Sequence, residues 1–372
     1  MAAREEAIDA AARAVGLARA GAAPLARLPR EAFLATWLAD GRAGEMRYLH
    51  ERTATRLDPR PEFPWARSVI VAALRHPPPP PLDPDWGHEL RGRIAAYALG
   101  LDYHVRLAAM LQAFAARLDA AFPGARFLSY VDTGPLLERE WATRAGLGWI
   151  GKHTLALDRE RGSYFLLGEL LTDLEVDAAP PPADHCGTCT RCLAACPTGA
   201  LDAAYLLDPR RCISYLTIEL RGPIPAPLRP RLGNWIFGCD LCQQACPWNG
   251  DAATTWAHEL TPHLPGLLAL DEHGFRARYR QTAVGRAKRD GLVRNVAVAL
   301  GNSGNPDAVP PLARALADDP AWLVRGHAAW ALGALGGAGA RAALERARGR
   351  EADPRVTAEI AAALTRAADR RP

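Results

Sequence analysis

The residues best equipped for chemistry are the eight cysteines, all of which fall between Cys186 and Cys246. They form one run, Cys186-x2-Cys189-x2-Cys192-x3-Cys196-Pro197, then a lone Cys212, then Cys239-x2-Cys242-x3-Cys246-Pro247. Three thiolates at double spacing can wrap an iron–sulfur cubane corner by corner, and the fourth cysteine of such a run, ahead of proline, ligates a second cluster. That rule assigns Cys186, Cys189, Cys192 and Cys246 to one [4Fe–4S] cluster. It assigns Cys239, Cys242, Cys196 and Cys212 to another, with no thiol left over. Disulfides suit small secreted domains rather than a chain of 372 residues. Zinc prefers CxxC pairs across a longer gap to three cysteines at double spacing.

Other positions carry two readings each. Asp132 follows a run that reads as a strand, Arg126–Val131, and precedes Gly134. Strand ends are where α/β folds place ligands. A carboxyl there can act as a general acid if burial raises its pKa, or simply close an Asx-type turn. A second Asp-Thr-Gly, which an aspartic protease would need, is absent. Gly146-x4-Gly151-Lys152-His153 approaches a phosphate-binding loop, but His153 stands where Ser or Thr should hold magnesium. Nucleotide hydrolysis is therefore excluded, and the glycines serve either close backbone approach to a large cofactor or a plain turn. Tyr97, Asp102, Tyr103 and His104 precede a long helical pattern, where His104 is either an acid–base group or a helix-start contact. Arg221 either meets an anionic substrate or faces water. Trp248 either packs or covers a cofactor.

Periodicity supplies the elements that must position these residues. Residues 4–20 read as an amphipathic helix with Ile8, Ala12, Val15 and Leu17 on its apolar side, and 31–53 also read as helical. Arg56–Pro61 is basic and turn-prone. Ser68–Leu74 is a continuous apolar run, the mark of a buried strand. Pro77–Pro81 reads as an extended surface connector. Residues 105–122 repeat apolar positions at helical spacing and stop at Pro123-Gly124. Glu138–Ala145 is expected to be helical, and Thr154–Leu157 with Ser163–Leu167 to form a hairpin. These lines predict an α/β domain over 1–178, a linker at Ala179–Pro182 and a cluster module over 179–265. From 266 to 372 the character changes. Leu292–Gly301 is echoed at Leu323–Gly333 and again, more weakly, at Pro354–Leu364, a period of about 31 residues. Such units are helix pairs that bury their apolar faces only by stacking.

Composition is that of an ordinary globular protein: 49% hydrophobic, 23% charged, net charge +4. The basic residues are almost all arginine, which suits bidentate phosphate contacts, although genome composition produces the same bias. No stretch approaches the ~20 apolar residues that cross a membrane. The acidic start, Glu5, Glu6 and Asp9, argues against a signal peptide, and no twin-Arg motif precedes it. A cytoplasmic protein is expected.

Taken together, Tyr97–His104, Val131-Asp-Thr-Gly-Pro135, Gly148-Trp-Ile-Gly-Lys152, the eight cysteines and Gly238-Cys-Asp-Leu-Cys-Gln-Gln-Ala-Cys-Pro-Trp-Asn249 resemble the epoxyqueuosine reductase family across nearly the whole chain. The resemblance implies an α/β N-terminal cobalamin-binding domain, a ferredoxin-like module with two [4Fe–4S] clusters and a C-terminal α-helical HEAT-like tail that docks tRNA. It implies reduction of epoxyqueuosine to queuosine at the tRNA wobble position, with electrons from a low-potential donor passing through the clusters to cobalamin. By the same resemblance Asp132 is the proton donor. Arg56, Ala95, Lys152, His153, Tyr164, Ser214 and Asp240 approach the cobalamin, many through backbone, and Arg221 lies near the tRNA. No Asp-x-His-x-x-Gly motif offers a histidine to cobalt, so the cobalamin is expected base-off. Arg294 and Arg325, among the arginines of the tail, are expected to contact phosphate, and a monomer is expected. The alternatives are a cobalamin-dependent reductive dehalogenase and an electron carrier fused to a binding solenoid. The first lacks its export signal here. The second gives the first 178 residues no task.

Overall fold

A computed structural model describes residues 2–180, 182–250 and 258–369. Pro181 of the expected linker and residues 251–257 of the expected cluster module lie outside the described residues. The chain divides into two compact units, each assembled from separated stretches. The first comprises Met1–Pro78, Leu101–Asp208 and Leu241–Ala252, and the second Pro79–Gly100, Pro209–Asp240 and Ala253–Pro372.

The first unit is built on a four-stranded sheet in the order β1 (Arg19–Pro24), β2 (Ser68–Arg75), β6 (Phe165–Thr172), β3 (Phe127–Tyr130), antiparallel throughout. Strand β2 reads as one apolar run because both faces of the sheet are covered. Ile70, Ala72 and Leu74 join a core with Ile8, Ala12 and Leu17 and with Leu107, Leu111, Phe114 and Leu118. These come from α1 (Ala2–Ala14), the turn after it and α2 (Tyr103–Ala121). Val69, Val71 and Ala73 face the other way, against Leu28, Phe63, Leu136, Trp141 and Leu147. Helix α3 (Glu138–Arg144) covers that second face. Burying each of the four large side chains of α2 contributes about 1.5–3 kcal/mol. Asp102 caps α2 by accepting the His104 N–H.

Three local expectations are corrected. The first helix stops at Ala14 rather than residue 20. Leu17 continues the apolar rhythm because it packs into the same core from the turn that leads into β1. The segment 31–53 is a helix only over Glu31–Ala39, and the next α-helix is the short Thr53–Leu57. The hairpin expected from 154–167 closes only as a single antiparallel bridge, Asp158 with Gly162, and its flanking strands do not pair with each other. Instead β5 (Ala156–Leu157) folds back on β4 (Trp149–Ile150), and β6 joins the main sheet. The turn between β5 and β6 is tied by the Asp158 carboxylate, which accepts the N–H groups of Glu160 and Arg161. Gly148 is required where β4 begins, because a Cβ there would lie 1.8 Å from the Leu157 carbonyl oxygen.

The second unit is mainly helical: α4 (Lys288–Asn302), α5 (Val309–Asp318), α6 (Trp322–Leu335), α7 (Gly337–Arg348) and α8 (Pro354–Asp369). Helix α4 packs on α6, and α6 on α8. The glycines that end the sequence echoes make this approach possible: a Cβ on Gly301 would lie 2.7 Å from Ala331, and one on Gly333 2.7 Å from Ala363. A short parallel pair, Arg93–Ile94 with Trp235–Phe237, completes the unit. The proline run is not wholly a surface connector. Pro79 and Pro80 are buried, and the carbonyls of Pro80 and Pro81 accept from the buried Arg93 guanidinium at 2.8 and 2.9 Å.

Candidate active site and cluster ligands

In the first unit β3 runs into the loop 131–137, where Asp132 takes a left-handed backbone, φ 57°. Such a conformation is uncommon for a residue with a side chain and is sustained only by its surroundings. Here the Asp132 N–H donates to Glu138 Oε1 at 2.8 Å. The carboxylate Oδ2 accepts from Tyr103 Oη at 3.0 Å and faces His104 Nε2 at 3.3 Å. His104 Nδ1 meets Asp102 Oδ1 at 2.7 Å, and the imidazole stacks on the Tyr103 ring with centroids 4.1 Å apart. The contact that starts α2 is present, and the placement of His104 against Asp132 is compatible with an acid–base role. Hydrogen bonding to Asp132, then to Asp102, outweighs burial and raises the His104 pKa. The Asp132 side chain remains 53% exposed, so its carboxyl is open to a reacting partner.

Two acids near this carboxyl, Glu138 and Glu169, escaped the sequence reading, and Arg56, expected to approach a cofactor, joins them. Glu138 opens α3, and burial together with the Asp132 charge pushes its carboxyl up to about 7. Glu169 lies on β6 opposite Tyr130 of β3, is 0% exposed and has neither oxygen hydrogen-bonded. Its carboxyl is raised well above the usual range by burial, then by Glu138 and Asp132. The signal for it was a single acid inside the apolar run Phe165–Thr172. Arg56, expected beside a cofactor, donates to the Tyr48 carbonyl, and its buried Nε has no partner. Burial lowers its pKa, while Glu138 and Asp132 act on it as nearby negative charges.

The same unit holds a cavity of about 340 Å³ lined by Cys186, Cys189, Cys192 and Cys246, the four thiols grouped by spacing. Lys152, His153, His185 and Trp248 share its wall. Burial pushes the Cys192 thiol up, and Cys246 and Cys186 push it the same way. Cys246 is raised likewise by burial, Cys186 and Cys189. Four thiols converge on one cavity, and their number and spacing fit the four-cysteine ligation of an iron–sulfur cluster. Lys152 donates to the carbonyls of Gly187 and Cys189 and so ties β4 to the cysteine loop. His153 is buried, with Nδ1 accepting from Leu155 N–H and Nε2 without a partner. Trp248 stands edge-on to Trp149, 5.2 Å between centroids. Asn249 accepts the Ser163 N–H and donates to the Gln243 carbonyl, pinning the Cys242–Cys246 segment to the start of β6.

Of the remaining cysteines, Cys196 and Cys242 belong to the first unit and Cys212 and Cys239 to the second. The Ala200 N–H donates to Cys196 Sγ at 3.3 Å. Tyr164 is buried against His76 in the first unit. In the second unit Ala95 donates its N–H to the Phe237 carbonyl. Ser214 accepts at its carbonyl from Thr217 Oγ1. The buried Asp240 accepts the Ala96 N–H at 2.8 Å, and burial, opposed by that bond and by Arg93, raises its carboxyl to about 6.

The phosphate contacts expected of the tail are corrected at two positions. Arg294 is 0% exposed and donates to the carbonyls of Leu216, Leu220 and Gly222 and to Asn295 Oδ1. Arg325 donates to Glu351 and to the carbonyls of Asp319 and Pro320, leaving its side chain 17% exposed. Both guanidinium groups are engaged within their own unit. Arg221 is exposed, with one donor on the Ala287 carbonyl.

Comparison with known proteins agrees with this reading of the chain. Residues 56–133 match the family model described as epoxyqueuosine reductase QueG, DUF1730, residues 185–249 a 4Fe-4S double cluster binding domain, and residues 287–365 HEAT repeats. The epoxyqueuosine reductase of Xanthomonas campestris is 40% identical over 346 residues, covering 89% of this chain and 97% of that protein. That of Pseudomonas aeruginosa is 40% identical over 334 residues, covering 86% and 91%. The Bacillus subtilis enzyme, solved with its catalytic aspartate loop swung out of the active site, superposes with a TM-score of 0.87 at 29% identity over 98% of this chain and 99% of that one. An epoxyqueuosine reductase solved with an epoxyqueuosine-modified tRNA-Tyr stem loop gives 0.87 at 30% identity over 99% of each chain. With an N-terminal catalytic region, a double [4Fe–4S] module and a helical C-terminal region, the chain belongs to the epoxyqueuosine reductase family of oxidoreductases.

Proposed function

We propose that this protein reduces epoxyqueuosine to queuosine in tRNA with Asp132 as the proton donor. The observation that carries the role of Asp132 is its half-exposed carboxyl, held at the end of β3 by Tyr103 and His104. Removing the epoxide oxygen breaks two C–O bonds, forms an alkene and takes two electrons and two protons, with water as the product. Without a donor, the first C–O cleavage leaves an alkoxide. A carboxyl within reach of that oxygen spares the alkoxide and contributes typically 10²–10⁴-fold. His104, bridged between Asp102 and Asp132, holds the carboxyl in place.

The electrons require cofactors that these residues fit. The four-thiol cavity suits the first [4Fe–4S] cluster, and Cys239, Cys242, Cys196 and Cys212 are assigned to the second on their spacing. For cobalamin, the unpartnered Arg56 Nε and His153 Nε2 are polar atoms that a large, amide-bearing ligand can satisfy. Arg56, Ala95, Lys152, His153, Tyr164, Ser214 and Asp240 are the positions assigned to hold it. When bound, it supplies a low-valent metal able to deliver electrons to an epoxide carbon, and the protein supplies placement, protons and exclusion of water. With no Asp-x-His-x-x-Gly motif in the sequence, a base-off absorption spectrum is expected, and a nitrogen-ligated one rejects that assignment.

We further infer three domains, 1–178, 179–265 and 266–372, the last a HEAT-like solenoid for tRNA. Arg221 remains a candidate phosphate contact, joined by the exposed Arg278, Arg280 and Lys288. A cytoplasmic monomer served by a low-potential donor is the setting these features favour; among the described residues no helix is long and apolar enough to cross a membrane. The deciding experiment incubates protein carrying both clusters and cobalamin with epoxyqueuosine-containing tRNA and a low-potential reductant, and reads the nucleosides by mass spectrometry. Loss of one oxygen by the parent, and a drop of at least about 100-fold in Asp132→Asn, is the expected result. Full activity in Asp132→Asn removes the proton-donor role.

A further inference from the structure

Two protons are consumed for each epoxide reduced, and Asp132 carries one at a time. We propose that Glu138 holds the second proton in reserve and positions Asp132 to receive it, an inference that rests on Asp132 being the donor. Asp132, half-exposed, takes its own proton from solvent, and the first C–O cleavage consumes it. The Glu138 carboxyl then reloads Asp132, and the second C–O cleavage takes that proton as the oxygen departs in water. The two electrons come from the low-potential donor of the established reaction.

The geometry of α3 carries the inference. Glu138 Oε1 receives the Asp132 backbone N–H at 2.8 Å, so its carboxyl lies against the donor residue itself. The residue it meets takes a left-handed conformation, φ 57°. The charge on Asp132 opposes ionisation of a neighbouring carboxyl, the more so when that carboxyl is enclosed. Glu138 is the more enclosed: it is half-buried, whereas Asp132 is 53% exposed.

The groups around Glu138 leave it unneutralised. Arg139, next on the same helix, donates to the Thr154 carbonyl. Arg56, from the helix Thr53–Leu57, donates to the Tyr48 carbonyl. His104, at the start of α2, is engaged by Asp102 and Asp132. Glu169, on the sheet beneath, is a third carboxyl, fully buried with neither oxygen hydrogen-bonded. No cation forms a salt bridge with Glu138 among the described residues. Burial and the Asp132 charge hold its pKa up at about 7, against the weaker pull of the Asp132 N–H, Arg139 and His104. A carboxyl held up near neutral pH can both keep a proton and give it up, which is what a reserve requires.

Glu138→Gln separates the two roles, because the amide oxygen still accepts the Asp132 N–H but the side chain carries no titratable proton. Single-turnover conversion of epoxyqueuosine-tRNA by the cluster- and cobalamin-loaded enzyme is expected to slow by roughly tenfold or more in Glu138→Gln. Its rate should lose the decline between pH 6 and 8 that the parent shows. Infrared pH titration of the unloaded protein should show a carboxyl titrating near pH 7 that disappears in Glu138→Gln. Glu138→Asp, which can carry the proton, should recover part of the rate. A Glu138→Gln enzyme with the parent rate, or a slowed one with the parent pH profile, overturns the reserve. An unchanged infrared titration overturns it as well, even if the loaded variant proves unstable. Failure of the underlying reading looks different: Asp132→Asn would then convert substrate normally, whatever Glu138→Gln does.

Discussion

Glu169 is a carboxylic acid with no hydrogen-bond partner among the described residues, on a sheet face it shares with Val71, Leu171 and Trp141. Burying a charge there costs far more than burying a neutral acid, so the fold keeps the proton on. The unfolded chain releases it near pH 4.3. The folded state therefore binds more protons than the unfolded one across the range above that value, and stability falls as pH rises through it. Glu169→Gln removes the titration but keeps the shape. Its melting midpoint should exceed the parent's by a few degrees at pH 8, and the gap should close toward pH 4.5. A constant gap across that range would mean that Glu169 is ionised in the fold or shielded by a group outside the described residues. A site that maintains such an acid beneath its catalytic loop gives up stability to do so, a pattern typical of groups retained for function.

At the scale of elements, the second unit is organised by α4. Its central residues, Gly291–Gly301, are all buried, so its polar side chains must bond inward. Arg294 gathers the carbonyls of Leu216, Leu220 and Gly222. Asn295 holds Thr217 and Ile236, and Asn302 holds Arg229 and Gly233. The segment that carries Cys212 is thus clamped by one helix. Arg294→Ala orphans three carbonyls at once and is expected to cost at least about 3 kcal/mol. A lowered melting midpoint, with tRNA affinity of the remaining folded protein unchanged, is the expected outcome; an unshifted midpoint would contradict the clamp. This helix also shows the limit of pattern reading. Periodicity located α2, α3, β2 and the repeated helices to within a few residues, because each carries an apolar stripe facing a core. It misread Arg294 because charge alone was taken to mean surface, although an arginine inside an unbroken apolar helix has no surface to reach. The cluster module was legible through the cysteine spacing, and the candidate loop through the Asp132 segment. Glu138 and Glu169 were not, because their importance lies in which strand and helix bring them beside Asp132, and that depends on the order of strands in the sheet.

For the whole molecule, the net charge of +4 says little about where an anionic partner would bind. Part of the arginine complement works internally: Arg93, Arg229, Arg289 and Arg294 are buried, and Arg289 and Arg229 pair with Asp319 and Glu359. What is open to a polyanion is the exposed set, of which Arg278, Arg280 and Lys288 lie within eleven residues of one another in the second unit. Phosphate contacts release counterions, so each one lost reduces the slope of log affinity against log salt by about 1. Arg278→Ala with Arg280→Ala should therefore flatten that slope by about 2 and weaken binding most at low salt. Arg294→Ala and Arg325→Ala should leave the slope unchanged, since neither guanidinium is available to a phosphate. Fluorescence anisotropy of a labelled tRNA stem loop between low and physiological salt separates the cases. A slope altered by Arg294→Ala but not by the exposed pair would place the polyanion elsewhere and return the buried arginine to the interface. The reverse would show that in this chain accessibility, rather than the count of arginines, sets where nucleic acid is held.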